Sequence, residues 1–171
     1  MAASACATAR SSNCSICCPP ARRSTLSKTE QIAVRVFGWN EAEARAMAVR
    51  ERVFIVEQGV PAELERDESD AVCEHALAEL PDGRVVGTGR LLPDGHIGRM
   101  AVDAEWRGRG VGGVLLRALI ERARERGMAE VMLNAQVHAL GFYARHGFVA
   151  EGGVFLDAGI EHRAMRLRLG A

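Results

Sequence analysis

The sequence predicts an α/β protein built on one mixed, mostly antiparallel sheet flanked by helices. Of 171 residues, 48% are apolar and 26% charged, an ordinary globular balance. Short runs of alternating apolar residues recur, separated by Pro-Asp-Gly turns or by stretches with helical spacing. A glycine-rich stretch, residues 107–113, lies between a strand-like run and a helix-like run. These observations predict the order βα, three antiparallel strands, then αβαββ.

Composition excludes several classes of protein. The 22 Lys and Arg residues balance the 22 Asp and Glu residues, whereas nucleic-acid-binding proteins usually carry a basic excess. No stretch approaches the ~18 uninterrupted apolar residues of a membrane-spanning helix. We therefore expect no nucleic-acid partner and no membrane association.

Residues 1–29 are predicted to form a disordered tail or a leader, ahead of a single domain at 30–171. The segment contains no acidic residue and is rich in Ser, Cys and Arg, which fits an organelle transit peptide; an over-extended start codon is the other interpretation. Cys14 and Cys17 have the spacing of half a zinc site, but no second pair lies nearby, so no metal site is predicted. The expected location is the cytoplasm, or an organelle if the segment is a transit peptide.

The first predicted elements are a strand, a helix and a loop. Apolar residues alternate over 32–36, which indicates a strand. Asn40 and Glu43 have the spacing of a capping box, which predicts a helix over 41–56. The acidic stretch 59–70 is predicted to be a loop. It is either a solvated loop or a rim that attracts a cationic amine.

Three antiparallel strands are predicted next, at residues 73–80, 84–92 and 96–102, because Pro-Asp-Gly turns separate them. The glycine-rich stretch then leads into a helix over 114–126. Gly127 stands where a glycine ends such a helix.

The last third of the chain is predicted to form three more strands and one helix between the first two of them. Residues 130–134 are mostly apolar and typical of a buried strand. A helix is predicted over 138–146, and alternating residues at 148–155 and 162–169 indicate a closing pair of strands.

The glycine-rich stretch has the composition of an anion-binding loop. Glycines allow backbone amides to approach a ligand closely, and the first amides of the following helix lie at the positive end of its dipole. Such a loop suits a phosphate or a pyrophosphate. No Gly-Lys-Ser/Thr sequence follows, which excludes a nucleotide-hydrolysing P-loop. Gly108-x-Gly110-x-x-Gly113 matches the dinucleotide fingerprint, but it follows antiparallel strands instead of the first strand of a βαβ unit.

Two motifs together resemble the GNAT superfamily of acetyl-CoA-dependent N-acetyltransferases. The first is Arg107-x-x-Gly110-x-Gly112. The second is Asn134-Ala-Gln136 followed by Tyr143-x-x-x-Gly147-Phe148. The resemblance covers roughly residues 32–169. Residues 49–58 and 155–162 are similar to a small bacterial branch of this superfamily.

The resemblance implies the GNAT fold, with a mostly antiparallel twisted sheet of about seven strands and about four helices. It implies direct transfer of the acetyl group of acetyl-CoA to a primary amine, on a small molecule, an aminosugar or a peptide. The resemblance also implies a homodimer, and edge strands near the C-terminus are compatible with one. The alternatives are a CoA-binding or regulatory module without efficient catalysis, and a dinucleotide-binding protein.

The resemblance also implies roles for individual residues. The backbone of Met100, Ala101 and Val102 would hold the pantetheine arm and the acetyl carbonyl. Tyr143 would protonate the departing thiolate, and Gln136 would contact CoA. The backbone amides that would hold the pyrophosphate belong to Arg107, Gly108, Arg109, Gly110, Val111 and Gly112.

The general base is not evident in the sequence. An alkyl amine has a pKa of ~10.4, so only about one molecule in ~2,500 is neutral at pH 7. Many relatives carry a glutamate on the strand before the glycine loop, but Gly98 stands near that place here. Other candidates are His96, Glu57, Asp67, Glu68 and His75. His162 either lines the acceptor pocket or is structural.

Overall fold

The computed structural model describes residues 32–170. The predictions made for residues 1–29, including the Cys14 and Cys17 pair, lie outside this range. No helix within residues 32–170 combines the length and apolar character needed to cross a membrane.

The first four strands form one antiparallel group in chain order. They are β1 (Ala33–Gly38), β2 (Glu74–Glu79), β3 (Val85–Leu91) and β4 (Ile97–Val102). The pairing of β2 with β3 is the predicted hairpin, and β4 pairs with β3 on the other side. The alternation and turn signals therefore identified these strands correctly.

Helix α1 (Trp39–Arg50) follows β1 directly and continues as a π-helix over Glu51–Glu57. The predicted capping box at Asn40 is wrong, because the helix begins at Trp39, two residues before the predicted start. Gly38 stands at the cap position, and no side chain closes the helix end. Packing sets this start instead, since the buried face of α1 lies against β2 and β3 through Ala42, Ala46, Val49, Leu77 and Val85.

The stretch 59–70 is not a solvated loop. It contains helix α2 (Ala62–Glu65), and a 3₁₀ turn over Glu68–Val72 follows. Glu65 and Asp70 are each only 1% exposed. Buried carboxylates need ionic partners, and arginines from α1 and β3 supply them, as described below.

The second half contains α3 (Val111–Glu125), β5 (Glu130–Gln136), α4 (Leu140–Ala144), β6 (Val149–Asp157) and β7 (Ile160–Arg168). Strand β7 lies between β5 and β6, and both pairings are antiparallel. Helix α3 begins three residues before the predicted start. The predicted helix at 138–146 is shorter and is preceded by a 3₁₀ turn over Val137–Ala139.

The two strand groups meet where β4 and β5 begin. His96 and Met132 form an isolated parallel bridge, and the amide of Met132 donates to the carbonyl of Gly95 at 3.0 Å. Beyond this point the described residues show no pairing between β4 and β5. The later residues of the two strands therefore line a cleft that opens toward their carboxyl ends.

Helix α3 closes one face of both strand groups. Its apolar face packs in a single core with β3, β5 and the residues around α4. The residues it contributes are fully or nearly fully buried: Val111, Leu115, Leu116, Leu119, Ile120 and Ala123. Gly127 ends the helix with a φ of +71°, as predicted. This packing fixes the first turn of α3 beside the open end of the cleft.

Candidate functional site

The first turn of α3 presents free backbone amides. Gly110 caps the helix in the left-handed region, with a φ of +83°, and no side chain accepts from the first amides. The first turn contains no acidic residue. The first amides of a helix lack internal partners and lie at the positive end of its dipole, so this turn favours an anion.

Two glycines in that turn allow other elements to approach closely. A Cβ at Gly112 would lie 3.4 Å from Cζ of Phe142 and 3.9 Å from Cγ2 of Val102. A Cβ at Gly113 would lie 3.2 Å from Nε2 of His146. The absence of side chains at these positions brings the end of β4, the start of α3 and α4 together around the mouth of the cleft.

The side chain of Arg107 braces the loop. Its Nε donates to the carbonyl of Val102 at 2.9 Å, and its two terminal nitrogens bind the two carboxylate oxygens of Glu57 at 2.6 and 2.7 Å. These hydrogen bonds lower the pKa of Glu57 and raise that of Arg107. The guanidinium thus ties the loop to β4 and to the π-helix.

A basic cluster that the sequence analysis did not single out lies on the other side of this turn. It consists of Arg117, Arg145 and His146. A Cβ at Gly113 would lie 3.5 Å from Nη1 of Arg117, and burial together with both arginines lowers the pKa of His146. Neither arginine forms an ion pair with any residue in the range 32–170. Most other arginines in this range pair with carboxylates, so this cluster is a focus of positive charge.

Strand β4 is irregular just before Met100. The register with β3 shifts opposite Thr88 and Arg90, and Arg99 has a φ of +49°. Gly89 lies under this irregularity, since a Cβ there would come 2.4 Å from Sδ of Met100. Along the cleft, β4 has no paired strand among the described residues, so the backbone of Met100, Ala101 and Val102 has one free edge.

Tyr143 lies on α4 and follows Phe142, the residue that approaches Gly112 in the first turn of α3. Its ring packs edge-on against Phe142 and Phe148, with centroid distances of 4.9 and 6.0 Å. Burial raises the pKa of Tyr143 to about 12. The hydroxyl forms no hydrogen bond with the described part of the chain, and it keeps its proton at neutral pH.

Gln136 ends β5 and reaches across to the segment after the π-helix. Its Nε2 donates to Oε1 of Gln58 at 3.2 Å. His162 lies directly opposite Gln136 in the β5–β7 register and stacks on Phe155, with 6.1 Å between ring centroids. Nδ1 of His162 lies 2.8 Å from the carbonyl of Ile160. These side chains line the face of the sheet opposite α3.

The candidate bases occupy different environments. His96 is half-buried beside Asp94, with 3.0 Å between Nδ1 and Oδ2. His75 is buried, its Nε2 lies 3.0 Å from the carbonyl of Asp70, and burial lowers its pKa. Asp67 is bound by Arg90. Glu57 is bound by Arg107, so these four groups already have a partner. Glu68, the fifth candidate, is exposed and forms no ion pair with the described residues.

The arrangement defines a class of protein. A helix start suited to phosphate and an open strand edge border one cleft, and Tyr143 lies on the neighbouring helix α4. Such a cleft suits an extended ligand that has a phosphate at one end.

Comparison with known proteins identifies the family. Residues 33–169 match the model of the GNAT acetyltransferase domain. The chain belongs to this family, and it is an acyltransferase. The predicted fold class and resemblance are confirmed.

Relatives and solved structures agree over nearly their whole lengths. The chain is 42% identical over 136 residues to the N-acetyltransferase YjcF of Bacillus subtilis, covering 76% of this chain and 96% of YjcF. It is similar to an acyl-CoA N-acyltransferase from Pseudomonas aeruginosa, with a TM-score of 0.71, 30% identity and coverage of 80% and 99% of the two chains. It is also similar to Escherichia coli ElaA, with a TM-score of 0.72, 27% identity and coverage of 80% and 99%.

Proposed function

We propose that the protein transfers the acetyl group of acetyl-CoA directly to a primary amine on a small molecule, an aminosugar or a peptide. One observation carries the proposal: the cleft between β4 and β5 opens onto the free amides at the start of α3. An acyl-CoA has this shape, since a narrow pantetheine arm ends in a pyrophosphate.

Each part of the cleft has a role in this proposal. The backbone amides of residues 107–112 bind the pyrophosphate, and Arg107 holds that loop against β4. The free edge of Met100, Ala101 and Val102 binds the pantetheine arm and the acetyl carbonyl. Gln136 contacts the arm from β5.

Tyr143 is the proposed general acid. A departing CoA thiolate has a pKa near ~8.5, well below the pKa of about 12 of Tyr143. The hydroxyl therefore stays protonated until the thiolate forms. Its lack of a hydrogen bond within the described residues leaves it available as a donor.

The acceptor amine must lose a proton before it attacks the thioester. Since Asp67 and Glu57 are bound by arginines, neither is a free base in this structure. We assign no base. An open face for the amine lies beside Gln136 and His162, opposite α3.

Three broader predictions accompany this function. We propose that residues 30–171 act as one catalytic domain and that the location is cytoplasmic. We also propose a homodimer. Strand β6 is the outer strand of its group, and it exposes Val149, Val154 and Leu156. Light scattering on the purified chain tests the dimer, and a monomer at micromolar concentration contradicts it.

Thermal melting with separate ligands tests the proposed function. A ligand at about 100 times its Kd adds about 2.7 kcal/mol of stability, which raises the Tm of a domain of this size by several degrees. We expect acetyl-CoA and CoA to raise the Tm and NAD to leave it unchanged.

The outcomes separate the alternatives. Stabilisation by NAD alone supports a dinucleotide-binding protein. Stabilisation by CoA, followed by no thiol release with any member of a broad amine panel, supports a CoA-binding module without catalysis. No response to CoA in folded protein contradicts both the transferase and the module.

A further inference from the structure

Arg99 has a backbone conformation that is unfavourable for its residue type. Its φ of +49° lies in the left-handed region, where glycine is favoured. The residue directly precedes Met100 in β4, at the point where the register with β3 shifts. The surrounding structure must therefore hold this conformation.

The side chain of Arg99 is tied to a segment 32 to 35 positions earlier in the sequence. Its Nη2 donates to the carbonyl of Leu64 at 3.1 Å and to Oδ2 of Asp67 at 3.3 Å. Its Nε lies 3.6 Å from Oε1 of Glu65. All three partners lie in or just after α2, so this single side chain joins β4 to that segment.

The segment is itself anchored by a buried ionic cluster, which we define as Arg50, Glu65, Asp67, Asp70 and Arg90 together with Arg99. Arg50 binds Glu65 at 2.5 Å and Asp70 at 2.8 Å. Arg90 binds Asp70 at 2.7 Å and both oxygens of Asp67 at 2.8 Å. The three arginines balance the three carboxylates in charge.

Burial makes this cluster a rigid support. Arg50, Glu65 and Asp70 are each 1% exposed, and the side chain of Arg90 is 9% exposed. Separating a buried carboxylate from its arginine strongly destabilises the fold, so the side chains of the cluster are held in fixed positions. Because Arg99 connects to this support, the turn in β4 is held from the face opposite α3.

We propose that Arg99 is a positioning residue for acetyl transfer: its ties to Asp67, Glu65 and Leu64 hold the irregular turn of β4 that aims the backbone of Met100–Val102 at the acyl carbonyl. The inference rests on the proposed function, because it assumes that this backbone binds the thioester. Arg99 acts through the backbone.

Infrared spectroscopy of bound acetyl-CoA, ¹³C-labelled at the acetyl carbonyl, tests this proposal without an acceptor. A well-aimed amide lowers the carbonyl stretching frequency below its value in free acetyl-CoA. We expect this lowering in the wild type and the loss of about half of it or more in Arg99→Ala, with CoA affinity changed less than about 3-fold. Arg99→Lys keeps the charge and restores part of the lowering.

Two further variants separate the tie from other effects. Arg99→Gly relaxes the left-handed backbone but removes the tie, and we expect it to behave as Arg99→Ala does. Asp67→Asn leaves Arg99 in place but weakens its hydrogen bond to residue 67. This variant provides the test if Arg99→Ala does not fold. Arg66→Ala, which removes an exposed ion pair with Glu43 on the same segment, is the matched control and leaves the frequency unchanged.

The outcomes are distinguishable. A wild-type carbonyl frequency in Arg99→Gly and Asp67→Asn overturns the positioning role, even if both variants melt earlier. A wild type that binds acetyl-CoA without lowering the frequency also overturns it, while the proposed cofactor stands. A wild type that does not bind acetyl-CoA overturns the proposed function and this inference together.

Discussion

Arg107 binds Glu57 with two parallel hydrogen bonds, of 2.6 and 2.7 Å, across 50 positions of sequence. Glu57 is the last residue of the π-helix, and Arg107 opens the glycine loop. Both side chains are more than two-fifths exposed, so the pair contributes little to the stability of the fold. Its effect is to set the position of the loop relative to the π-helix.

Glu57→Gln is therefore expected to weaken CoA binding more than it weakens folding. In glutamine one of the two acceptor oxygens becomes an NH2 group, which cannot accept, so one of the two parallel hydrogen bonds is lost and the tie between the loop and the π-helix weakens. We expect CoA affinity to fall by roughly 3- to 10-fold, with a change in unfolding free energy within about 1 kcal/mol. Calorimetric titration with CoA and urea denaturation measure the two effects.

Glu105→Gln is the matched control for that change. Glu105 is exposed, lies near the loop and forms no ion pair with the described residues. We expect its CoA affinity to equal that of the wild type. Equal losses in both variants would mean that general electrostatics around the loop, and not the tie to Arg107, determine the affinity.

Local sequence signals predicted most of the fold. Alternation and Pro-Asp-Gly turns identified the strands, and Gly127 marked the end of α3. The predicted start of α3 at 114 leaves out Gly112 and Gly113, whose helix propensity is poor. The structure includes both glycines in the helix because Phe142 and His146 pack where side chains would lie. Such tertiary contacts override local propensity.

The environment of the acidic stretch could not be predicted in the same way. Glu65, Asp67 and Asp70 have no local feature that separates them from the exposed Glu63 and Glu68. Their ion pairs depend on arginines 15 to 34 positions away in sequence, and one sequence does not show which distant side chains meet. The idea of an acidic rim that attracts an amine is wrong for Glu65 and Asp70, which are buried. The ion pair between Glu57 and Arg107 could not be predicted either, because the two residues are 50 positions apart in sequence.

Tyr143→Phe is expected to separate catalysis from binding. The change removes the proposed proton donor and keeps the ring packing against Phe142 and Phe148. We expect kcat to fall by about 10²-fold or more while the Kd of CoA changes less than about 2-fold. Stopped-flow detection of the released thiol, with an amine from the acceptor panel, gives kcat.

The pH dependence provides a second readout for Tyr143. Its pKa is raised to about 12, so the hydroxyl keeps its proton across the range in which the fold is stable. We expect no loss of wild-type rate from ionisation of this tyrosine below about pH 10. An alkaline limb near pH 8 that disappears in Tyr143→Phe would contradict this assignment.

Asp67→Asn is expected to reduce the loss of unfolding free energy that the protein shows as the pH falls below 4. Hydrogen bonds from Arg90 lower the pKa of Asp67 to about 2 in the folded protein, against the ordinary value of 3.8 for an aspartate. The carboxylate therefore stabilises the fold fully at pH values above the pKa of the unfolded state. This contribution is lost as the pH falls through the lower pKa of the folded state. The asparagine variant is less stable at pH 7 and loses less between pH 4 and pH 2.

Urea denaturation at pH 7, 4 and 2.5 measures this effect. Glu68→Gln is the control, since Glu68 is exposed and has no ion-pair partner among the described residues. We expect the unfolding free energy of Glu68→Gln to differ from that of the wild type by at most about 0.5 kcal/mol, and by the same amount at each pH. A parallel curve for Asp67→Asn as well would show that its ion pair does not produce the acid limb.

Gly89→Ala is expected to destabilise the fold by crowding Met100. A Cβ at this position would lie 2.4 Å from Sδ of Met100 and 3.0 Å from Cδ1 of Leu119. Overpacking of this kind costs about 1–3 kcal/mol. Gly153→Ala, where a Cβ meets nothing within 4 Å, is the control and should stay within about 0.5 kcal/mol. Thermal melting compares the two, and equal Tm values would contradict the close approach.

Removing Arg117 and Arg145 together is expected to reduce the preference for CoA over dephospho-CoA. The amides at the start of α3 suit the pyrophosphate, which leaves this basic cluster for the remaining phosphate, on the ribose of CoA. An exposed charge pair contributes about 0.2–1 kcal/mol, so the double alanine variant should lose about 2- to 25-fold in CoA affinity at low salt. Binding of dephospho-CoA should change little. Added salt should reduce the difference in CoA affinity between the wild type and the double variant, because it screens exposed charges.

Arg168→Ala is the control for net charge. Arg168 lies at the far end of β7 and forms no ion pair with the described residues. Equal losses for CoA and dephospho-CoA in the double variant would assign the cluster to the pyrophosphate instead, because both ligands share that group.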